Sequence, residues 1–286
     1  MKKTISIIIA LVLTGFLIYA ITFHKKEIPV EKTGMVTSTA AYVKYFGAAP
    51  PVDKGIAYAF VIYFPSKKEP GKVVPFPFFT FDEGSIKKVA IERLLGGMDS
   101  SSYHGEFIQF PSGSRLIAIN DDNGAVTVNF SKELNTPAEA ATARALALTL
   151  RQFKGVKDIL FQIEGRESPL STLVKNVDDS VVRQPSPPRL LSVTAIRDKG
   201  AKDVEEVNAF FDRPVAVKEL RMSTRDGTTF EGDIFHSAFD MAAILKPKDP
   251  SQFKERMPIK VRWKVIDKLG RQAEGDSVWL LEIKEH

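Results

Sequence analysis

Residues able to act as catalysts or metal ligands are few and scattered in this sequence. The chain of 286 residues contains no cysteine, which excludes disulfides, thiol nucleophiles and thiolate metal sites. Its histidines are far apart, and no His-x-x-x-His pair occurs, so we expect no metal site. They are His24, His104, His236 and His286. A phosphate-binding G-x-x-x-x-G-K-[ST] loop is missing, and Ser112 and Ser114 lack the spacing of a nucleophile elbow.

Paired acidic residues are the remaining candidates for catalysis. Asp121-Asp122 precedes an Asn-Gly turn and Asp178-Asp179 lies in a linker context, and carboxylates in such places are usually solvated. A general-acid pair assembled from distant positions is left open. We therefore expect no catalytic residues, no cofactor and a protein that is not an enzyme, with a hydrolase of envelope material as a minor alternative.

The distribution of charge argues against a nucleic-acid partner. The net charge of the chain is +5, and residues 1–32 alone hold five lysines and two acidic residues. The rest of the chain is therefore nearly neutral, whereas a nucleic-acid-binding domain carries a basic stripe on its folded part.

An apolar run near the N-terminus predicts a membrane anchor. Residues 4–23 contain no charged residue, and as a helix they would span about 30 Å, enough to cross a bilayer. Because no small-x-small cleavage site follows closely, we favour an uncleaved signal anchor over residues 1–23 rather than a removed signal peptide. The expected partner of this segment is the cytoplasmic (inner) membrane, with a single pass and the remaining mass outside the cytoplasm, as in the periplasm.

The remaining chain divides at segments rich in proline and glycine. Residues 24–55 lack a sustained period and are expected to form a tether, with an apolar group around Tyr42 and Tyr45 that docks on the next domain or touches lipid or a partner. The first folded domain is expected at residues 56–171. A Pro-rich linker at 172–188, which ends in Gln-Pro-Ser-Pro-Pro, separates it from a second domain at 189–286.

The first domain has the pattern of a mixed α+β fold. Residues 56–64 and 72–81 predict extended segments, and Pro75 and Pro77 place the second of these at a sheet edge or in a loop. Residues 85–95 predict an amphipathic helix. A hairpin turn is expected at residues 121–124, and a capping box at 136–139 begins a second helix that runs to about Lys154. This order suggests two helices covering one face of a small mixed sheet.

Several motifs in this domain resemble those of the GerMN family of spore-germination proteins. They are AIERLLGG at 90–97, FIQFPSGSRL to NGAVTVNFSKEL at 107–134, and RALALTLRQFKGVKDILFQIEG at 144–165. The chain departs from the family pattern at Met98, where proline is usual, and at Asn129, where an aspartate-like residue is usual. The resemblance implies kinship with envelope and sporulation proteins and with ring-building folds that pack side by side.

The motif residues also have plain structural interpretations. Gly124 supplies turn geometry, and Phe153 and Phe161 are expected in the core. Arg144 and Arg151 lie seven residues apart on one helix face, where we expect solvated side chains rather than a ligand site.

Recurring strand signals and turns at short intervals in the second domain predict an all-β, immunoglobulin-like sandwich of about seven strands. Residues 259–265 alternate apolar and basic side chains, and residues 277–284 read as a closing strand. Trp263 and Trp279 lie on the apolar faces and are expected in the core. FFDRPV at 210–215 and the later Trp263 strand are similar to bacterial Ig-like domains of the CopC-like type. A copper role would need a cluster of histidines, and His236 alone does not provide one.

Together these features predict a single-pass, non-enzymatic protein of the cell envelope. Its GerMN-like and Ig-like domains would bind envelope proteins or contact the cell wall, with a link to sporulation or germination and with homo-oligomers among the expected assemblies. The alternative is a module that binds peptidoglycan or another carbohydrate, which would require exposed aromatic residues. No individual binding residue can be assigned from the sequence.

Overall fold

The computed structural model describes residues 34–98, 101–135, 140–174 and 177–286. The expected anchor at 4–23, the first part of the tether and the capping box at 136–139 lie outside these residues. Across the ranges that are described, no helix is long and apolar enough to cross a membrane. The fold is mixed α+β and mostly β, and its buried apolar residues form two clusters. We call them the first module, with core residues from 42 to 182, and the second module, with core residues from 190 to 281.

A three-stranded sheet lies at the centre of the first module. It contains β1 (Met35–Ser38), β2 (Ile56–Pro65) and β3 (Val73–Thr80), in that order. Strand β1 runs parallel to β2, and β3 runs antiparallel to it. Because proline has no N–H to donate, Pro75 and Pro77 fit the edge strand β3, which is the first of the two places expected for them.

A second, four-stranded sheet completes the first module. Its strands in spatial order are β4 (Leu116–Asp122), β5 (Ala125–Phe130), β6 (Asp158–Ile163) and β7 (Arg166–Glu167). The turn between β4 and β5 has positive φ at Asn123 (51°) and Gly124 (96°), which confirms the Asn-Gly hairpin. A Cβ at Gly124 would lie 2.2 Å from the carbonyl oxygen of Gly155, so the position also requires close backbone approach.

Four α-helices are present among the described residues: α1 (Ala40–Phe46), α2 (Ile86–Leu95), α3 (Ala140–Arg151) and α4 (Leu170–Leu173). Helices α2 and α3 both pack on β2, as two helices were expected to cover one sheet. The sequence predicted one small mixed sheet, whereas the structure has two sheets in the first module. The sequence pattern locates the strands but does not say which of them pair.

The expected tether differs from the structure over residues 35–46. These residues form β1 and α1, and Tyr42, Tyr45 and Phe46 are buried in the first core. Helix α1 begins at Thr39, whose hydroxyl accepts the N–H of Tyr42, and ends at Gly47 with a φ of 78°. A helix of seven residues has too few turns to show a clear periodicity in the sequence. Of the two places expected for its aromatic residues, the structure shows the first, docking on the next domain.

The Pro-rich linker is also packed rather than free. Val174 and Val182 belong to the first core, and Val182 bridges to Val73 of β3. Pro185 and Pro188 are buried where the two modules meet. A stiff, extended segment next to two apolar surfaces loses little further entropy on burial, so it becomes part of the contact.

The second module is a sandwich of two sheets around one core. Its strands are β8 (Leu190–Arg197), β9 (Glu206–Phe211), β10 (Val215–Ser223), β11 (Gly232–His236), β12 (Ala242–Pro247), β13 (Pro258–Asp267), β14 (Gln272–Leu280) and β15 (Glu282–Glu285). One sheet has the order β11-β12-β9-β8-β15 and the other β10-β13-β14. Eight strands are therefore present where about seven were expected.

Residues 277–284, predicted as one closing strand, are divided between the two sheets. Strand β14 pairs with β13, the buried Leu281 follows, and β15 then pairs in parallel with β8 of the other sheet. Trp263 is 8% exposed and lies in the core as expected, while Trp279 is half-buried against it. Gly275 is required beside Trp263, because a Cβ there would lie 2.7 Å from the indole ring.

Candidate functional site: the junction of the two modules

A buried ion pair lies at the centre of the contact between the modules. Asp212 and Arg213 follow β9, and the two residues are 3% and 2% exposed. The carboxylate of Asp212 accepts hydrogen bonds from Arg213 Nε and Nη2, both at 2.9 Å. It also accepts the hydroxyl of Tyr103 from the first module at 2.6 Å. One carboxylate therefore holds together side chains from both modules.

Arg213 extends this network toward helix α1. Its guanidinium lies 5.7 Å from the ring centroid of Phe46, and its Nη1 atom is 3.7 Å from Asp267. Nη1 has no hydrogen-bond partner although it is buried. Asp267 is bound in turn by Arg271 Nε at 2.6 Å, and Arg271 Nη2 donates to the carbonyl of Tyr45 at 2.8 Å. Arg213 and Arg271 of the second module thus both contact the C-terminal end of α1.

A second set of contacts surrounds Tyr103. The Arg189 guanidinium lies 4.4 Å from its ring centroid and donates to Glu106 at 2.8 Å and to the carbonyl of Ser102 at 3.1 Å. Burial raises the pKa of the Tyr103 hydroxyl, and the neighbouring Asp212 raises it further. Partial burial acts to raise the pKa of Glu106, but hydrogen bonds from Arg189 and Lys68 outweigh it, and the pKa is lowered. Both groups are therefore held in the form that bonds across the junction.

Aromatic rings close another side of the junction. Phe239 of the second module stacks on Phe79 of β3 with centroids 4.3 Å apart and an interplanar angle of 13°. Phe81 is 60% exposed and lies 5.5 Å from Phe239. Phe239 and Asp240 both have positive φ, 62° and 53°, a costly backbone conformation for side chains of this size. The stacking contact offsets that strain, so the loop is shaped by its partner in the other module.

A separate open cleft of about 940 Å³ lies in the first module, between the free edge of β1, the start of α2 and the end of α3. Its charged groups are largely paired. Lys87 binds Asp121 across the cleft at 2.6 Å, and this hydrogen bond lowers the pKa of Asp121. Tyr58 bonds to Glu83, which raises the pKa of the tyrosine. Across the described part of the chain, every carboxyl group with a resolved pKa shift is shifted down, opposite to a catalytic general acid at neutral pH.

The most specific motif of the family resemblance, residues 149–153, binds backbone rather than ligand. Strand β1 pairs with β2 only up to Ala59, and the Gln152 side chain takes over beyond it. Gln152 Oε1 accepts the N–H of Val61 at 2.7 Å, and its amide donates back to the Val61 carbonyl at 2.5 Å. Thr149 accepts the next free N–H, that of Tyr63, at 3.2 Å. These side chains therefore complete the edge of β2.

The expectation that Arg144 and Arg151 are solvated is wrong. Arg151 donates to the carbonyls of Val174 and Val177 at 2.6 and 2.7 Å, and Arg144 donates to Gly71 at 2.7 Å. A guanidinium reaches such carbonyls while its stem lies on the helix, which a helical-wheel argument cannot reveal. Both residues thus secure neighbouring loops.

The other candidate residues lie apart from the junction. His24 is outside the described residues, and His104 and His236 are exposed on different modules. Asp178 caps the short turn at Asp179–Val181 by accepting the N–H of Ser180. Sequence reasoning missed Tyr103, Asp212 and Arg213. The one available signal was the charged pair Asp-Arg directly after an apolar strand, in FFDRPV.

The architecture defines a two-module α+β protein whose modules share a buried polar contact. Residues 61–169 match the family model Germane, described as sporulation and spore germination. The first module is therefore a Germane (GerMN) domain, and the resemblance based on its motifs is confirmed. A comparison with curated proteins found no match to the chain.

Solved structures similar to parts of the chain include GerMN domains and a copper resistance protein. The first GerMN domain of the sporulation protein GerM from Bacillus subtilis is 24% identical, with 38% of this chain and 84% of that chain covered and a TM-score of 0.32. The tandem GerMN domains of the same protein are 16% identical, covering 70% and 63%, with a TM-score of 0.33. PcoC, a methionine-rich copper resistance protein from Escherichia coli, is 13% identical, covering 34% and 100%, with a TM-score of 0.26.

Proposed function

We propose that this protein is a membrane-anchored, non-enzymatic component of the cell envelope that holds two modules in one fixed orientation to contact other envelope proteins. The observation that carries the proposal is the junction centred on Asp212. The charged pair Asp212–Arg213 of the second module is buried against Tyr103 of the first module. Separating the modules would expose this pair to solvent and break the hydrogen bond between Tyr103 and Asp212. Enzymes that work by domain closure need a weak contact between domains, whereas a fixed platform needs a strong one.

Two strand edges offer surfaces for such contacts. Strands β4 and β11 each lie at the end of a sheet and have no strand partner on their outer side among the described residues. Ile117 on β4 is 54% exposed, and Ile234 on β11 is 44% exposed. An open edge with apolar side chains favours the addition of an extended segment from a partner. The prolines of β3 make that edge unsuitable for the same role.

The Germane domain supports a role in sporulation or germination, since that is the description of its family. The uncharged, apolar residues 4–23 support a position outside the cytoplasmic membrane as part of this proposal. A reporter fused after His286 tests this position. Activity of a periplasm-dependent reporter is expected, and a signal from the cytosol alone would exclude the proposed location.

Photo-crosslinking in cells tests the contact surfaces. A photoreactive amino acid at Ile117 or Ile234 is expected to give adducts with envelope proteins. Leu173 provides the matched control, because it is an aliphatic residue with similar exposure (42%) on a helix instead of a strand edge. If the two edge positions give no more adducts than position 173, the proposed role of the edges is wrong.

The two tryptophans give little support to the carbohydrate-binding alternative. Trp263 is buried and Trp279 is half-buried against the core, so neither provides an open stacking platform. Sedimentation of the full-length protein with isolated wall material separates the two ideas. Protein contact predicts that the protein stays in the supernatant, whereas stoichiometric pelleting would favour wall binding.

A further inference from the structure

A histidine and two carboxylates come together at one end of the second module. His286 Nε2 lies 3.3 Å from Asp198 Oδ1 and 4.0 Å from Glu205 Oε2. One donor atom from each of the three residues lies within 4.8 Å of the other two. His286 is far in sequence from Asp198 and Glu205. The spacing of the histidines therefore gave no sign of this group.

The backbone holds the three residues in register. Asp198 and Glu205 flank the loop that joins β8 to β9, and the Glu205 N–H donates to the carbonyl of Ile196 at 2.7 Å. The parallel pairing of β15 with β8 brings in His286, whose N–H donates to the carbonyl of Arg197 at 3.3 Å. Its carbonyl accepts the N–H of Lys199 at 3.3 Å. The group is therefore built on two hydrogen-bonded strands.

We propose that Asp198, Glu205 and His286 bind a divalent transition-metal ion of the Zn²⁺ type. Donors of a tetrahedral zinc ion at about 2.0–2.1 Å lie roughly 3.3 Å apart. The separation of His286 from Asp198 already has this value, and the third donor, Glu205 Oε2, lies 4.0 Å from His286 on an exposed side chain. The three side chains are more than half exposed, so their rotamers can adjust and water can fill the remaining position.

The imidazole of His286 favours a transition-metal ion over Ca²⁺ or Mg²⁺. Carboxylates alone favour hard ions such as Ca²⁺ and Mg²⁺, which prefer six or more oxygen donors. One imidazole with two carboxylates suits Zn²⁺ and neighbouring first-row ions better. Two carboxyl groups beside an imidazole also offer the donor set of a divalent cation, and the chain has no cysteine to compete for it.

The same geometry has a competing explanation, in which protonated His286 simply forms ion pairs with the two carboxylates. The two explanations have opposite pH dependence. An ion pair needs the proton and strengthens as the pH falls, whereas a metal ion needs the neutral imidazole and binds more tightly as the pH rises through the histidine range.

Calorimetric titration of the full-length protein in detergent with Zn²⁺ tests the proposal. Binding of one ion is expected, with an affinity that rises from pH 5.5 to 7.5. His286→Ala and Glu205→Gln are each expected to weaken it by more than about tenfold. His236→Ala, another exposed histidine of the same module, is the matched control and should leave it unchanged.

Thermal unfolding without metal accompanies each variant, and because the replaced side chains are exposed, the midpoints are expected to match the parent protein. Zn²⁺ should raise the midpoint of the parent and of His236→Ala but not of His286→Ala. Absence of binding, or binding that His286→Ala leaves intact, would overturn the proposal. So would an affinity that increases as the pH falls.

Discussion

Replacing Asp212 with asparagine removes one charge from the centre of the junction and changes the shape of the side chain little. Asp212 accepts four hydrogen bonds, from Tyr103, from two nitrogens of Arg213 and from the N–H of Arg189 at 3.1 Å. After the replacement, the nearest remaining acid to Arg213 is Asp267 at 3.7 Å. The buried guanidinium is then left with too little compensating charge.

The expected cost follows from the burial of the pair. Removing one partner of a buried ion pair destabilises a protein by about 3–5 kcal/mol. For a chain of this size, each kcal/mol lowers the midpoint of thermal unfolding by about 2–4 °C. Asp212→Asn is therefore expected to lower the midpoint by roughly 6–20 °C, as measured by circular dichroism or calorimetry.

Two further variants make this prediction refutable. Glu231→Gln is the control, since Glu231 pairs with Lys248 on the surface with side chains 75% and 69% exposed, and such a pair contributes about 0–1 kcal/mol. Combining Asp212→Asn with Arg213→Met removes the uncompensated charge and should recover part of the loss. If Asp212→Asn costs no more than Glu231→Gln, the junction is not the strong contact described above.

Three other predictions concern single contacts. Gln152→Ala should cost about 2 kcal/mol, because it leaves two backbone groups of Val61 without partners, and a cost below about 0.5 kcal/mol by denaturant unfolding would contradict this. Gly275→Ala should cost about 1–3 kcal/mol and alter the near-ultraviolet dichroism of Trp263, since the new Cβ overlaps the ring; an unchanged spectrum would contradict it. Burial and then Asp212 raise the pKa of Tyr103, so stability should fall above the ordinary tyrosine pKa of about 10, where the unfolded chain loses the proton first. Tyr103→Phe should reduce that slope by about 1.4 kcal/mol per pH unit, and an identical slope would refute the assignment.

Local features of the fold could be predicted where a residue type has one strong physical preference. Asn123-Gly124 required a hairpin, because few other residues accept two positive φ angles. Pro75 and Pro77 excluded a central strand, because neither can donate to a ladder, and the structure places them in the edge strand β3. The motifs around residues 149–153 resembled those of the GerMN family, and the structure adds the physical role that the sequence did not give: Thr149 and Gln152 complete the edge of β2.

Features that depend on distant contacts could not be predicted in this way. Helix α1 is stabilised by burial of its aromatic residues and by Arg271, which is more than 200 positions away. The contact of Tyr103 with Asp212 spans 109 positions. His286 joins Asp198 only because β15 leaves the sheet of β14 and pairs with β8. Sequence periodicity reports the face of an element that is buried, but not the element that covers it.

The fixed orientation of the modules is the central claim, and a distance measurement tests it most directly. The chain has no cysteine, so Lys88→Cys on α2 and Arg262→Cys on β13 can carry two unique spin labels at exposed positions of different modules. Pulsed electron spin resonance should then give one narrow distance distribution, which broadens when Asp212→Asn is added. A broad or multiple distribution in the otherwise unaltered protein would contradict the claim that the junction holds the two modules as one body.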